Sequence, residues 1–96
     1  MGKTKQKLNF DVSACYVCGN PNTQWHHIYY GNNRQNSTKY GYIIGLCLEH
    51  HTGNTGVHFN TKLDKELKQM AQRHFEQWYG YREDFIKIFG RNYLDD

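Results

Sequence analysis

Three cysteines and six histidines stand in this chain, and eight of the nine lie between positions 15 and 58. Cys15-Tyr16-Val17-Cys18-Gly19 is a C-x-x-C followed by glycine. That pattern is a metal knuckle: two thiolates sit one tight turn apart, and glycine supplies a backbone conformation that bulkier residues resist. Cys47-Leu48-Glu49-His50 repeats the spacing. Together they read C-x2-C-x28-C-x2-H, a Cys3His frame for a tetrahedral structural zinc. His50 is the fourth ligand by spacing, and His51 is the alternative. An odd number of cysteines in a chain expected to stay inside the cell argues against a disulfide framework.

His26, His27, His51 and His58 are left without structural work once the frame takes His50. Neighbouring residues on a strand point to opposite faces. His26 and His27 are therefore expected to do different jobs, one holding a metal and the other acting on water. His51 follows the zinc frame directly, and His58 follows a Gly-Asn-Thr-Gly turn and is expected to fold back toward it. Such a set suits phosphodiester hydrolysis with one divalent metal. The ion polarises the phosphate, and a neutral imidazole takes the proton of the attacking water near its own pKa. His74 falls on the apolar face of a later helix and is expected to pack rather than ligate.

These residues need elements to position them. Residues 1–9 are polar and basic and read as a flexible arm; residues 10–96 read as one domain, with a 10–60 zinc core and a 61–96 helical tail. Residues 23–30 favour a strand. Residues 31–41 are rich in Gly, Asn, Gln, Ser and Thr and read as an exposed loop. Residues 42–46 form a second strand, and a helical turn starts near Leu48. From Thr61, Leu63, Leu67, Met70, Ala71, His74, Phe75 and Trp78 recur at three and four, which predicts a helix capped by Asn60 or Thr61 and stopped by Gly80. Tyr81 to Phe89 is a shorter helix with Phe85, Ile86 and Phe89 on one face, ended by Gly90. Most aromatic residues are assigned to the core. Tyr29, Tyr30 and Tyr40, beside the loop, are set apart for stacking on unpaired bases.

The expected class is α+β. Only 38% of the 96 residues are hydrophobic, and a domain of this size buries about 60–65% of its unfolded surface, so a bound metal is a natural supplement. No apolar run approaches the roughly 20 residues of a bilayer span, and the opening residues lack an apolar signal region; the expected location is cytoplasmic. The net charge of +3 comes largely from Lys3, Lys5 and Lys7, a mild basic bias that suits a nucleic-acid partner.

Cys15-x2-Cys18, His26-His27-Ile28, Cys47-x2-His50-His51 and Gly56-Val57-His58-Phe59 together resemble the HNH, or ββα-metal, endonucleases, most nearly the small phage-encoded members. The segment Arg34-x2-Ser37-x-Lys39-Tyr40-Gly41 is similar to the same group. The likeness covers about residues 15–60 and, more loosely, the helical tail. It implies a zinc-stapled, treble-clef-like ββα core with C-terminal helices. His27 would be the general base, and His26, His51 and His58 would hold a catalytic Mg²⁺, Mn²⁺, Ni²⁺ or Zn²⁺. Cys15, Cys18, Cys47 and His50 would hold the structural Zn²⁺, and Arg34 and Lys39 would contact phosphate. The implied activity is nicking or structure-directed cleavage of DNA, single- or double-stranded and including branched forms, in phage DNA processing or recombination within a bacterial host, by a monomer or homodimer. Two positions differ from the family pattern. Gly41 and Tyr42 stand where a central Asn usually orients the base through its side chain, and the second zinc pair ends in His50 rather than Cys. The alternative reading is a non-catalytic zinc module that binds nucleic acid or a partner protein.

Overall fold

In the computed structural model, which describes residues 12–53, 56–57 and 60–94, two short strands pair antiparallel: β1 (Gln24–His27) and β2 (Ile43–Leu46). Their register sets Gln24 opposite Leu46, Trp25 opposite Gly45, His26 opposite Ile44 and His27 opposite Ile43. The chain is a small α+β fold. The arm expected over residues 1–9, and His58, lie outside the described residues.

Residues 31–41 are a correction to the sequence reading. They are not a loop: a 3₁₀ turn at Gly31–Asn33 runs into helix α1 (Arg34–Tyr40). The segment has no apolar period, so its helix is held from outside. Ser37 is fully buried; its hydroxyl accepts from the Tyr29 amide at 2.8 Å and donates to the Tyr29 carbonyl at 2.8 Å. The Ser37 carbonyl takes the Tyr42 amide at 2.8 Å. One residue thus fastens α1 to both strands, its side chain to the chain just after β1 and its carbonyl to the chain just before β2.

Helix α2 (Leu48–His51) follows β2 directly. Helix α3 (Thr61–Trp78) starts at Asn60, whose side chain accepts the Leu63 amide at 3.1 Å. Helix α4 (Arg82–Phe89) ends at Gly90. Its first turn is closed by Asp84, which accepts the Tyr81 amide at 2.9 Å. Two strands alone are marginal in water, and the helices supply the missing apolar cover. Leu67, Ala71 and Phe75 of α3 and Phe85 and Phe89 of α4 meet Ile28, Ile44 and Leu46 of the strand layer.

That core is largely aromatic. Tyr29 packs against Phe89 with ring centres 4.5 Å apart, Phe85 against Phe89 at 4.6 Å, and Tyr40 against Tyr79 at 4.8 Å. Tyr29 and Tyr40, set apart above for base stacking, are buried at 1% and 8% exposure, so neither is open to a nucleotide; Tyr30 is half exposed. The Tyr29 hydroxyl donates to the Lys68 carbonyl. Burial, reinforced by Tyr42 and Tyr93, pushes the Tyr29 phenol well above its ordinary range, and burial does the same to Tyr42.

Side chains of the 3₁₀ turn and α1 also reach the end of α4. Asn33 donates to the Phe89 carbonyl at 2.9 Å and Asn36 to the Ile88 carbonyl at 3.2 Å. These are last-turn carbonyls of α4, which have no partner within their own helix.

Candidate metal centre and histidine cleft

The two halves of the Cys/His frame meet across the hairpin. The knuckle turns tightly: the Gly19 amide reaches the Cys15 carbonyl at 2.8 Å, and the Cys15 amide reaches the Asn20 carbonyl at 2.9 Å. Gly19 takes a φ of 79°, in the region glycine adopts freely. The knuckle then docks on β2, where the Tyr16 amide donates to the Gly45 carbonyl at 2.8 Å. Gly45 is what permits the approach: a Cβ there would sit 2.6 Å from the Val12 carbonyl oxygen and 3.0 Å from that of Ala14.

On the other side, Cys47 ends β2 and opens α2, which sets His50 one helical turn away. Its Nδ1 lies 3.2 Å from Cys47 Sγ and 3.7 Å from Cys15 Sγ, and Cys18 Sγ lies 3.8 Å from Cys47 Sγ. All four ligand atoms fall within 4.8 Å of one another. Tetrahedral zinc with bonds of about 2.0–2.3 Å needs ligand atoms roughly 3.5–4 Å apart, so this Cys3His group can hold a structural metal such as zinc. All three cysteines are free. Burial would raise the Cys15 thiol, but the amides of Cys47, Cys18 and Val17 outweigh it and bring the thiol down to about 6. The Asn20 amide lowers Cys18, yet desolvation and the neighbouring cysteines raise it on balance.

His51 is not part of that group. A second concavity, of about 230 Å³, opens between the end of β1, the start of α1 and α2. His26, His27, His51, Arg34, Trp25 and Tyr30 border it. His26 is 2% exposed, and its ring centre lies 5.3 Å from that of His51 and 5.9 Å from that of Tyr30. His51 Nδ1 lies 2.7 Å from Gln24 Oε1. A carboxamide oxygen only accepts, so His51 donates from Nδ1 and keeps its lone pair on Nε2. His27 is half-buried, with Nε2 3.1 Å from the Thr38 hydroxyl. Burial first, and the Arg34 charge second, lower its pKa and keep the ring neutral.

The expected site residues thus separate. Cys15, Cys18, Cys47 and His50 come together in one group; His26, His27, His51 and Arg34 share the cleft. Lys39 does not reach it. It lies on another groove with Tyr40, Tyr79 and Ile88, its ammonium 5.5 Å from the Tyr40 ring centre. Helical geometry explains this, since five residues carry it about 140° around α1 from Arg34. Among the described residues the Cys3His group is the one cluster of three or more candidate ligands. His74 packs on Tyr42, its Nδ1 3.1 Å from the Tyr42 hydroxyl.

Three residues bear on the cleft without standing out in the sequence: Trp25 borders it, and Gln24 and Thr38 contact its His51 and His27. Gln24 was within reach, because strand alternation puts it on the same face as His26. Trp25 is 63% exposed. Thr38 carries no signal of its own in a segment whose composition favours a loop. No family model matches this chain, and no curated protein or solved structure shows significant similarity to it. Among the described residues, no helix is long and apolar enough to cross a membrane.

Proposed function

We propose that this chain is a metal-dependent DNA endonuclease of the ββα-metal type, with His27 as general base and a structural zinc on Cys15, Cys18, Cys47 and His50. One observation carries the reading: His26 and His51 converge beside His27 and Arg34 in a cleft distinct from the Cys3His group. A structural zinc module has no use for this second set of imidazoles. Two imidazoles bound to one tetrahedral ion through bonds of about 2.1 Å have ring centres about 5 Å apart, and the 5.3 Å between His26 and His51 fits.

When bound, a divalent ion at His26 and His51 supplies polarisation of the phosphate and charge for the leaving oxygen. The chain's own residues do the rest. Gln24 fixes the His51 ring with its lone pair on Nε2, the form that ligates. His27, neutral at neutral pH, accepts the proton of the attacking water. Arg34, at the start of α1, pairs with a phosphate oxygen and repels a proton from His27. Trp25 and Tyr30 flank the cleft with aromatic surface for a nearby base.

The test is cleavage of supercoiled plasmid with Mg²⁺, Mn²⁺, Ni²⁺ or chelator, run beside His27→Ala. Metal-dependent nicking that disappears in the variant, with fold and zinc content unchanged, is the expected result. Wild-type cleavage by the variant would remove His27 from the role. One observation favours the second reading, a non-catalytic zinc module that binds nucleic acid: Gly41 has no side chain and Tyr42 is buried against His74, so neither replaces the family's Asn. No cleavage with any metal, zinc still bound at one ion per chain, would select it.

A further inference from the structure

We propose that Thr38 is the positioning residue for His27, fixing the imidazole in its Nε2–H tautomer so that Nδ1 carries the lone pair. The inference rests on the reading of His27 as general base, and it names what stands in for the absent Asn.

Two hydrogen bonds carry it. His27 Nε2 lies 3.1 Å from Thr38 Oγ1, and Thr38 Oγ1 lies 3.2 Å from the Arg34 carbonyl oxygen. A hydroxyl has one hydrogen and two lone pairs. The Arg34 carbonyl can only accept, so the Thr38 hydrogen goes to it. The remaining contact is then satisfied only if His27 Nε2 donates. A neutral imidazole that donates from Nε2 has its basic lone pair on Nδ1.

The support behind Thr38 is rigid. Its helix is anchored through Ser37 to Tyr29 and through Asn33 and Asn36 to the end of α4. A β-branched side chain has few rotamers, and the bond to Arg34 selects among them. Of the two positions where a family Asn would act, Gly41 has no side chain and Tyr42 is engaged with His74. Helix α1 therefore presents the orienting group from a different element, one turn beyond Arg34 at the same cleft. A base held in the wrong tautomer loses most of its rate even when its position is unchanged.

The experiment compares the full zinc-loaded chain with Thr38→Val and Thr38→Ser. Nitrogen-resolved NMR of the imidazoles reads which ring atom of His27 bears hydrogen. The Nε2–H form should dominate in the wild type, give way to a mixture in Thr38→Val and return in Thr38→Ser. In plasmid cleavage, kcat should fall on the order of 10–100-fold in Thr38→Val, with KM unchanged, and recover in Thr38→Ser. Thr38 is exposed, so melting should not move. An Nδ1–H form in the wild type, or an unchanged tautomer in Thr38→Val, would overturn the proposal even if the protein cuts DNA. A tautomer shift in a protein that cuts nothing would uphold Thr38 and defeat the nuclease reading.

Discussion

His50 and His51 are consecutive in α2, yet their rings point to different places: His50 Nδ1 lies 3.2 Å from Cys47 Sγ, and His51 Nδ1 lies 2.7 Å from Gln24 Oε1. Adjacent residues on a helix are separated by about 100°, which is enough to send one ring into the thiol cluster and the other into the cleft. The helix has only four residues and cannot hold itself. A metal bound at His50 would therefore order His51 as well.

Removing the structural metal should collapse the fold. A zinc in such a site contributes about 10 kcal/mol or more, comparable to the whole stability of a small domain. Chelation, or Cys47→Ala, should abolish the cooperative melt and reduce zinc from one ion per chain to none. His51→Ala should keep both. An unchanged melting curve in Cys47→Ala would refute the frame.

Ser37→Ala should destabilise far more than its size suggests. It strips a partner from both the amide and the carbonyl of Tyr29, both inside the core. Two buried groups left unmade cost about 2–4 kcal/mol together. Denaturant titration measures this directly; a loss under about 1 kcal/mol would show that water replaces the hydroxyl.

The buried tyrosines set an alkaline limit. In the unfolded chain they release protons near pH 10. In the fold, burial and neighbouring tyrosines hold the Tyr29 and Tyr42 protons well beyond that. Above pH 10 the unfolded state therefore binds fewer protons, and stability falls as pH rises; below it, these groups contribute no slope. Tyrosinate absorbance from the pair should appear only with unfolding. Its appearance near pH 10 in an intact fold would contradict the packing.

Arg34 and Lys39 should behave differently towards DNA. Arg34→Ala should weaken duplex binding several-fold and lower the slope of log K against log salt by about 0.9, one phosphate contact. Lys39→Ala, on another groove, should change little. Fluorescence anisotropy over a salt series separates them, and equal losses in both would place DNA outside the cleft.

The parts of this fold legible in sequence are those with a strong local signal. The period of Leu63, Leu67, Ala71 and Phe75 gives α3, and the repeated x2 spacing gives the residues of the thiol cluster. Helix α1 was hidden because its cause is not local: polar side chains bond to Tyr29, Phe89 and Ile88, and its own sequence carries no apolar stripe. The cleft was half legible. The histidines announce themselves by type, but Gln24 and Thr38 become visible only once β1 and α1 are set side by side.

The two bonds from Asn33 and Asn36 to the last carbonyls of α4 tie the Cys/His half of the chain to the helical half. The zinc half and the helical half look separable along the chain, but α1, which bears Arg34 and Thr38, closes the end of α4 as it borders the cleft. Grafting residues 12–57 onto a foreign helical partner would carry over every candidate ligand among the described residues and still lose the seat of α1. Both acceptors are main-chain carbonyls, so the cleft depends on the course of the α4 backbone rather than on the side chains α4 carries.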